Sequence, residues 1–558
     1  MSGDAFVRQM LAAHHLQRRY CREPHPVSRR VFADILGQAR DTAFGRQHRL
    51  GPVRTPADFR AAVPIGGYES FRGYVERIRA GEQKVLTESR PYALHTTSGT
   101  TGRPKYIPTT RHWRNRYRGP ALYAQWGLYF QRLGLERYRP GNVLDMSWER
   151  SVIEHLPGPD DTVPVYSITK RPAAVGPRDW NPPWYGEPWF LDDSGRLSLY
   201  AKLRLLAGSD VRMVVAVNPS RITALGELLN EELEALLKDL HDGTLCGKAF
   251  PGLAPARETA YRLEATHSFG GRVTLVDLWP RLSLQVCWNS ASARYYRGWL
   301  DRLAPGVPLI PFSTTGTEGI VTMPVDTHPS AGPLAVDQGL FEFVPCAPED
   351  PGEPLPPDAA TVGHDDLVNG GTYRLVMSQA NGLYRYDSGD IYRVVGRVGH
   401  LPRIEFEGRG GSVSSFTGEK LTESDVHAAI RAAVGSASVP SVYSLVPTWG
   451  RPPGYTLVME WPDGPGPASE AFCDRVDATL CRVNSEYAEK RGSDRLTPVR
   501  GRTVPPGTFR AFAERHIARG ASAAQVKHRW LHTDDALLAD LPPLMTGALP
   551  TDYAKDRT

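Results

Sequence analysis

The chain has 558 residues and a formal net charge of +5; 41% of its residues are hydrophobic and 23% are charged. This length exceeds the roughly 100–200 residues of one domain, so it predicts at least two domains and excludes a small disulfide scaffold or a lone binding module. The composition is typical of a folded globular protein. The sequence has no long block of like charges, so its charge pattern does not indicate a nucleic-acid partner.

The six cysteines are scattered without a C-x-x-C pair, which predicts reduced thiols rather than disulfides or a zinc site. The first twenty residues lack the apolar stretch of a secretory signal, and no run approaches the ~18 apolar residues of a membrane span. We therefore expect a cytoplasmic protein that binds neither nucleic acid nor membrane. A monomer is expected, although the sequence does not fix the oligomeric state.

Strand patterns that alternate with amphipathic stretches predict an α/β fold whose N-terminal part holds a largely parallel sheet. The predicted strands of this part are 211–217, 273–278, 282–288 and 307–312, and the predicted helices are 220–243 and 292–303. From about residue 334 onward, short strands joined by turns predict an antiparallel meander or barrel. These strands are 340–344, 373–377, 383–386, 391–395 and 404–406.

A stretch rich in glycine and serine, EGRGGSVSS at 407–415, is the best candidate for a linker. It predicts a large N-terminal domain of residues 1–409 and a small α+β C-terminal domain of residues 410–558. In the C-terminal domain we expect a helix that starts at a capping box of Thr422 and Asp425. A hairpin of 442–446 and 455–461 and a helix over 469–490 are expected to follow.

The segment 96–105, TTSGTTGRPK, combines glycines, hydroxyls and a lysine without one acidic residue. Small residues let backbone N–H groups approach an anion, and Lys105 adds a positive charge. Only ten of the 66 basic residues are lysines, so a lysine here is a specific choice. A surface turn rich in serine and threonine is the alternative, but the missing acids favour a polyphosphate loop. Pro104 and Tyr106, which flank Lys105, exclude the Walker pattern.

A second polar segment, STTGTEG at 313–319, directly follows the predicted strand 307–312. Open α/β sheets bind ligands at the carboxyl ends of their strands. The segment is therefore predicted to face a nucleotide, with a solvated glutamate in a strand-end turn as the alternative.

Four motifs together resemble the Gretchen Hagen family of acyl-acid amido synthetases, within the adenylate-forming superfamily. They are TSGTTGRPK at 97–105, GLFEFVP at 339–345, GLYRYDSGD at 382–390 and GEKLTE at 418–423. The resemblance implies an N-terminal domain that binds ATP and the acid, and a mobile C-terminal domain. It also implies a two-step reaction in which ATP adenylates a carboxylic acid and an amine, usually an amino acid, displaces AMP. A bacterial member is expected.

The resemblance also assigns residues. Thr317, Glu318 and Lys527 would act in catalysis, with Glu318 holding Mg²⁺ and Lys527 reaching the α-phosphate. Asp390 would accept the ribose hydroxyls, and Arg385 is expected to be structural. The residues implied to bind nucleotide are Thr97, Ser98, Gly99, Thr100, Thr101, Gly102, Lys105, Thr315, Gly316, Thr317, Tyr386, Asp390, Arg409 and Lys527.

Three points stay open in the sequence. The superfamily commonly has an aromatic residue that stacks on adenine where this chain has Thr315, and a threonine cannot stack. The aromatic residues between 113 and 130 are either part of the acid pocket or core. A ligase that passes the acyl group to coenzyme A or a carrier protein, and an inactive relative that only binds nucleotide, are the alternative functions.

Overall fold

The chain is described from a computed structural model that separates it into two compact units, Met1–Gly410 and Gly411–Thr558. This division lies one residue from the boundary expected in the glycine-rich and serine-rich stretch. The structure describes residues 3–97, 105–139, 141–146, 152–156, 163–166, 196–217, 219–347, 353–410, 413–414, 419, 421–434, 440–450, 452–461, 470–492, 496–518, 528–532 and 535–541.

The first unit opens with five helices that the sequence analysis did not predict. The first turn of the second contains Pro24, and the fourth begins at a capping box of Thr55 and Asp58; both are standard helix starts. The five helices are α1 (Gly3–Arg22), α2 (Pro24–Ala39), α3 (Ala43–Gln47), α4 (Pro56–Ala62) and α5 (Glu69–Arg79).

A mixed sheet with the order β2-β1-β5-β4 follows. Its strands are β1 (Pro91–Thr97), β2 (Lys105–Thr110), β4 (Val152–Leu156) and β5 (Val163–Tyr166). The first two strands form an antiparallel hairpin in which Thr97 pairs with Lys105. The two ends of the predicted polyphosphate loop are therefore held side by side, and residues 98–104 between them lie outside the described residues.

The aromatic segment after β2 forms helix α6 (Arg111–Trp113), a π-helical turn over Arg114–Arg118 and helix α7 (Gly119–Leu133). Tyr129 and Phe130 on α7 are fully buried in a hydrophobic cluster. The structure thus favours the core interpretation of these aromatic side chains over the acid pocket.

A second sheet is parallel throughout, in the order β10-β9-β6-β3. Its strands are β3 (Val143–Asp145), β6 (Met213–Val215), β9 (Leu284–Cys287) and β10 (Leu309–Pro311). Among the described residues, six helices belong to this region, together with a small hairpin of β7 (Thr244–Leu245) and β8 (Lys248–Ala249). The helices are α8 (Arg196–Leu206), α9 (Pro219–Glu231), α10 (Leu233–Asp242), α11 (Arg257–Ser268), α12 (Leu275–Leu278) and α13 (Arg297–Leu303). The predicted parallel sheet is confirmed.

Three predicted elements of this region differ from the structure. The strand predicted at 273–278 is wrong: a capping box of Thr274 and Asp277 starts helix α12 there, and a short apolar run alone cannot separate the two structures. The helix predicted at 220–243 is two helices, which meet at Glu232. The helix predicted at 292–303 begins as a 3-10 helix over Ala291–Tyr296.

The predicted meander is confirmed as a five-stranded antiparallel sheet in the order β11-β15-β14-β13-β12. Its strands are β11 (Gly332–Pro333), β12 (Leu340–Pro345), β13 (Thr372–Ser378), β14 (Tyr386–Val398) and β15 (Leu401–Arg409). A short 3-10 helix, His364–Asp366, precedes β13. The strand predicted at 383–386 is wrong over most of its length, because Arg385 has a left-handed φ of 46° that cannot continue a strand.

The second unit is an α+β domain with a three-stranded sheet, β18-β19-β20, and a two-stranded one, β16-β17. The predicted capping box is present: Thr422 N–H donates to Asp425 and Asp425 N–H donates to Thr422. The helix predicted over 469–490 is two helices that meet at Asn484, whose side chain accepts from Tyr487 N–H. The elements are β16 (Val413–Ser414), β17 (Leu421–Thr422), α14 (Glu423–Val434), β18 (Val442–Thr448), β19 (Gly454–Glu460), α15 (Glu470–Val483), α16 (Ser485–Gly492), β20 (Arg500–Val504), α17 (Thr508–Ala518) and α18 (Ala536–Asp540).

All six cysteines are free thiols, as expected. Among the helices that the structure describes, none has the length and apolarity needed to cross a bilayer.

Candidate functional site

The segment 313–319 follows the carboxyl end of β10, the position at which the sequence placed it. Its start is held by two side chains, since Gln125 on α7 accepts from Ser313 N–H and Trp288 Nε1 donates to Ser313 O. Gly316 N–H then donates to Gly319 O at 2.9 Å, which closes a tight turn. Thr315 Oγ1 lies 3.3 Å and 3.2 Å from the carbonyl oxygens of these two glycines. The hydroxyl of Thr315 therefore faces the turn itself.

Glu318 lies on this turn with 8% of its surface exposed. A Cβ atom at position 316 would stand 2.6 Å from Glu318 Oε2, so glycine there lets the carboxylate fold back over the turn. Asn381 Nδ2 donates to the backbone carbonyl oxygen of Glu318 at 3.1 Å. The acidic group is thus held against the protein, while Thr317 beside it is partly exposed.

Arg118 is the last residue of the π-helical turn and contacts the turn that carries Glu318. Its Nη1 donates to Gly316 O at 3.1 Å, and its guanidinium lies over the Trp113 ring at 5.4 Å. Burial lowers the pKa of Arg118, and the nearby Glu318 opposes this shift. A guanidinium still keeps its charge in such surroundings, so a cation stands next to the turn.

The same arginine acts on His95, two residues before the end of β1. Burial and then the positive charge of Arg118 lower the pKa of His95 to about 4. The imidazole is therefore neutral at physiological pH, and its Nδ1 lies 2.9 Å from Thr109 Oγ1 on β2. Because Arg118 is close to both His95 and Glu318, the hairpin that carries the glycine loop and the acidic turn lie on the same side of the first unit.

Buried polar atoms without a hydrogen-bond partner also cluster around the turn. Among the described residues these include Ser313 Oγ, Gln379 Nε2 and Asn381 Oδ1. Buried polar groups are normally satisfied, so these atoms indicate a bound polar species or water. The oxygens of Ser313 and Asn381 near the Glu318 carboxylate are of the type that Mg²⁺ accepts, and Gln379 Nε2 can donate a hydrogen bond to a phosphate oxygen. The residues present thus fit a magnesium nucleotide.

Most residues of the motif at 382–390 are buried, and several of their side chains make structural contacts. Arg385 makes a bidentate ion pair with Glu342 at 3.0 Å for both contacts, and also donates to the carbonyl oxygens of Arg60 and Val63. Asp387 accepts a second bidentate pair from Arg374. The structural role expected for Arg385 is therefore observed.

Tyr386, like Arg385 and Asp387, is buried in the structure: it is 1% exposed, and its ring packs edge-to-face on Phe71. These contacts favour a core role for the ring over the nucleotide contact that the resemblance implied.

Asp390 is partly exposed and pairs directly with Arg409 across the antiparallel strands β14 and β15. The Cα atoms of residues opposite each other on neighbouring antiparallel strands lie about 4.5–5.5 Å apart. The register therefore brings these two positions together at the end of the sheet, next to Gly410, whose N–H donates to Gly389 O.

Lys527 lies outside the described residues, but the segment that follows it is fixed in the second unit. His528 is partly buried, with its Nε2 2.7 Å from Tyr443 O, and Ser444 Oγ donates to Arg529 O at 2.7 Å. Glu423 accepts from Trp530 N–H. Residues 528–532 thus run along β18, which anchors the chain one residue after Lys527.

Sequence reasoning missed Arg118 and His95. The aromatic residues around 113–130 drew attention to the right segment, but a π-helical turn has no simple sequence signal, and such turns are frequent at functional sites.

Three family models match the chain in sequence. The GH3 family N-terminal domain matches residues 13–309, the central domain residues 332–409 and the C-terminal domain residues 424–536. This chain belongs to the GH3 family. The match confirms the resemblance that the four motifs indicated. Within this GH3 chain the glycine loop lies in the N-terminal domain, Asp390 and Arg409 lie in the central domain, and Lys527 lies in the C-terminal domain.

Similar GH3 proteins include plant enzymes. A probable indole-3-acetic acid-amido synthetase GH3.2 of Oryza sativa subsp. japonica is 27% identical, over 90% of this chain and 87% of that protein. The indole-3-acetic acid-amido synthetase GH3.4 of Arabidopsis thaliana is 26% identical, over 91% of this chain and 89% of that protein. The solved structure of AtGH3.15 acyl acid amido synthetase in complex with 2,4-DB has the same fold, with a TM-score of 0.79, 20% identity and 96% of both chains covered.

Proposed function

We propose that this GH3 protein is an ATP-dependent ligase that adenylates a carboxylic acid and transfers the acyl group to an amine, forming an amide. The observation that carries the proposal is the position of Arg118, which contacts the Glu318 turn and lies near His95 on the strand that enters the glycine loop. The relatives are named as acid-amido synthetases, which supports an amino acid as the amine. An aromatic or medium-sized hydrophobic acid fits relatives named for indole-3-acetic acid.

In the first step an oxygen of the substrate carboxylate attacks the α-phosphorus of ATP, the bond to the β-phosphate oxygen breaks, and pyrophosphate leaves. Both reactants are anions, so the site must bring them together against their repulsion. The cations of Lys105 and Arg118 lower this repulsion, and Lys527 adds a third at the α-phosphate. Mg²⁺, held by Glu318, would neutralise phosphate charge. No nucleophilic side chain is required.

In the second step the amine nitrogen attacks the acyl carbon, AMP leaves through cleavage of the bond between acyl carbon and phosphate oxygen, and the nitrogen gives up a proton. We propose that the domain of residues 1–409 carries the first step and that the domain of residues 410–558 moves between the steps. Asp390 and Arg409 would hold the nucleotide next to the glycines at this boundary. The expected bacterial source stays a prediction, since the relatives named above are plant proteins.

The proposal is tested by exchange of labelled pyrophosphate into ATP across a panel of aromatic and aliphatic acids. Acid-dependent exchange is expected, and mass spectrometry of reactions supplied with amino acids should show an amide. A thioester formed with coenzyme A and no amide would establish the acyl-CoA alternative. Nucleotide binding without exchange for any acid would instead favour the inactive relative.

Replacing Arg118 with glutamine should lower kcat/KM for the acid about 10- to 100-fold, because hydrogen bonds to charged groups contribute about 1.5–3 kcal/mol. The KM for MgATP should rise together with the KM for the acid, because Arg118 contacts the turn that carries Glu318. Steady-state pyrophosphate exchange measures both constants. The matched control is Arg116→Gln on the same turn, whose side chain is half exposed near Asp34. If the Arg118→Gln enzyme had the same kcat/KM and KM values as this control, Arg118 would have no role in the site.

A further inference from the structure

The strand that leaves the glycine loop lies at the edge of its sheet in the part of the chain that the structure describes. Strand β2 is the last in the order β2-β1-β5-β4, so one row of its backbone groups faces away from the sheet. Tyr106, directly after Lys105, pairs with Thr96 on β1. Among the strands that the structure describes, β1 is the one that pairs with this arm of the loop.

One side chain takes the place of the missing neighbour strand. Tyr106 N–H donates to the hydroxyl oxygen of Tyr68 at 2.6 Å, and the same hydroxyl donates to Tyr106 O at 3.1 Å. A single phenol thus satisfies both backbone groups of the residue that follows Lys105. Lys105 Nζ lies 5.9 Å from the centre of the Tyr68 ring.

Tyr68 is itself well fixed, since it is 4% exposed and immediately precedes helix α5. Burial raises the pKa of Tyr68 to about 12, so the hydroxyl keeps the proton that it donates. The guanidinium of Arg79, at the other end of the same helix, stacks on the Tyr106 ring at 4.3 Å. Helix α5 therefore holds the outgoing arm of the loop from two directions.

We propose that Tyr68 is a positioning residue that fixes this arm, and with it Lys105, for binding of the ATP triphosphate. The inference rests on the proposed function, in which the loop binds phosphate. Loss of the hydroxyl would leave two backbone groups of Tyr106 unpaired at the sheet edge and would let Lys105 move away from the phosphates. Because the contacts given above for Tyr68 lie on the arm that carries Lys105, we expect the KM for the acid to change little.

The test compares two substitutions on neighbouring turns. Tyr68→Phe keeps the ring and removes only the hydroxyl. Tyr74→Phe is the matched control: it removes a hydroxyl on α5 that is buried and has no hydrogen-bond partner among the described residues. Tyr68→Phe should raise the KM for MgATP in pyrophosphate exchange about tenfold, with the KM for the acid unchanged. Hydrogen exchange of the Tyr106 amide should become faster, and Tyr74→Phe should change neither quantity.

Two results would overturn the proposal in an active enzyme. One is a wild-type KM for MgATP in Tyr68→Phe; the other is an equal rise in the KM values of ATP and acid, which would show a general structural defect. If the wild-type protein shows no exchange, the proposed function fails and calorimetric titration with MgATP decides the role of Tyr68. About tenfold weaker binding by Tyr68→Phe would support it, and equal binding, or no binding by the wild type, would refute it.

Discussion

Replacing Lys527 with alanine is expected to slow adenylate formation about a thousandfold. An ammonium group ~4 Å from a phosphoryl oxygen stabilises the transition state by about 4 kcal/mol at an effective dielectric constant near 20, and each ~1.4 kcal/mol is a factor of ten in rate. Lysines are scarce in this chain, and this one precedes a segment that the structure fixes on β18 through Ser444 and His528. The local anchor would limit the positions that the ammonium can reach.

The half-reactions separate this effect from misfolding. Pyrophosphate exchange should fall about a thousandfold, whereas amide formation from a preformed acyl-adenylate should continue, because the lysine acts only before pyrophosphate leaves. The control is Lys238→Ala, since Lys238 is exposed on α10 in the first unit. Unchanged exchange in the Lys527 variant would show that another cation serves the α-phosphate. Equal loss in both half-reactions would indicate damage to the fold.

Replacing Glu342 with alanine should lower the free energy of unfolding of the five-stranded antiparallel sheet by about 3–5 kcal/mol. Glu342 accepts two hydrogen bonds from Arg385, and both side chains are almost fully buried. The substitution leaves the guanidinium buried without its carboxylate. Arg385 also has a left-handed φ of 46°, which costs free energy in a residue other than glycine, so the ion pair stabilises a backbone shape that the chain does not favour.

Native-state hydrogen exchange of peptides from β12 to β14 measures this loss, because it reports the opening of one sheet. A chain of two compact units need not unfold in a single transition, which makes a global melting curve less direct. The control is Glu231→Ala, which removes one half-exposed partner of Arg196. Its effect should stay within about 1 kcal/mol. A Glu342 variant as stable as this control would contradict the role given to the Arg385 pair.

The motif at 382–390 shows why a matching segment does not identify its functional members. Read as a string, GLYRYDSGD offers two tyrosines, an arginine and two aspartates of similar standing. In the fold, Arg385 and Asp387 each meet a buried charge of opposite sign, and Tyr386 packs in the core. Asp390 is partly exposed. The partners that decide this, Glu342 and Arg374, lie on other strands of the sheet.

The family, the α/β class, the parallel sheet, the meander and the strand-end position of the Glu318 turn could all be predicted from the sequence. These follow from local patterns: apolar runs, turn residues and the order of motifs along the chain. The three-dimensional fold was needed to find that Arg118 lies near both Glu318 and His95, that the Tyr68 hydroxyl binds the backbone of Tyr106, and that residues 275–278 are helical. The first two contacts join residues tens to hundreds of positions apart, so no local pattern reveals them. The apolar run at 275–278 suits a strand as well as a helix until capping and packing select one of them.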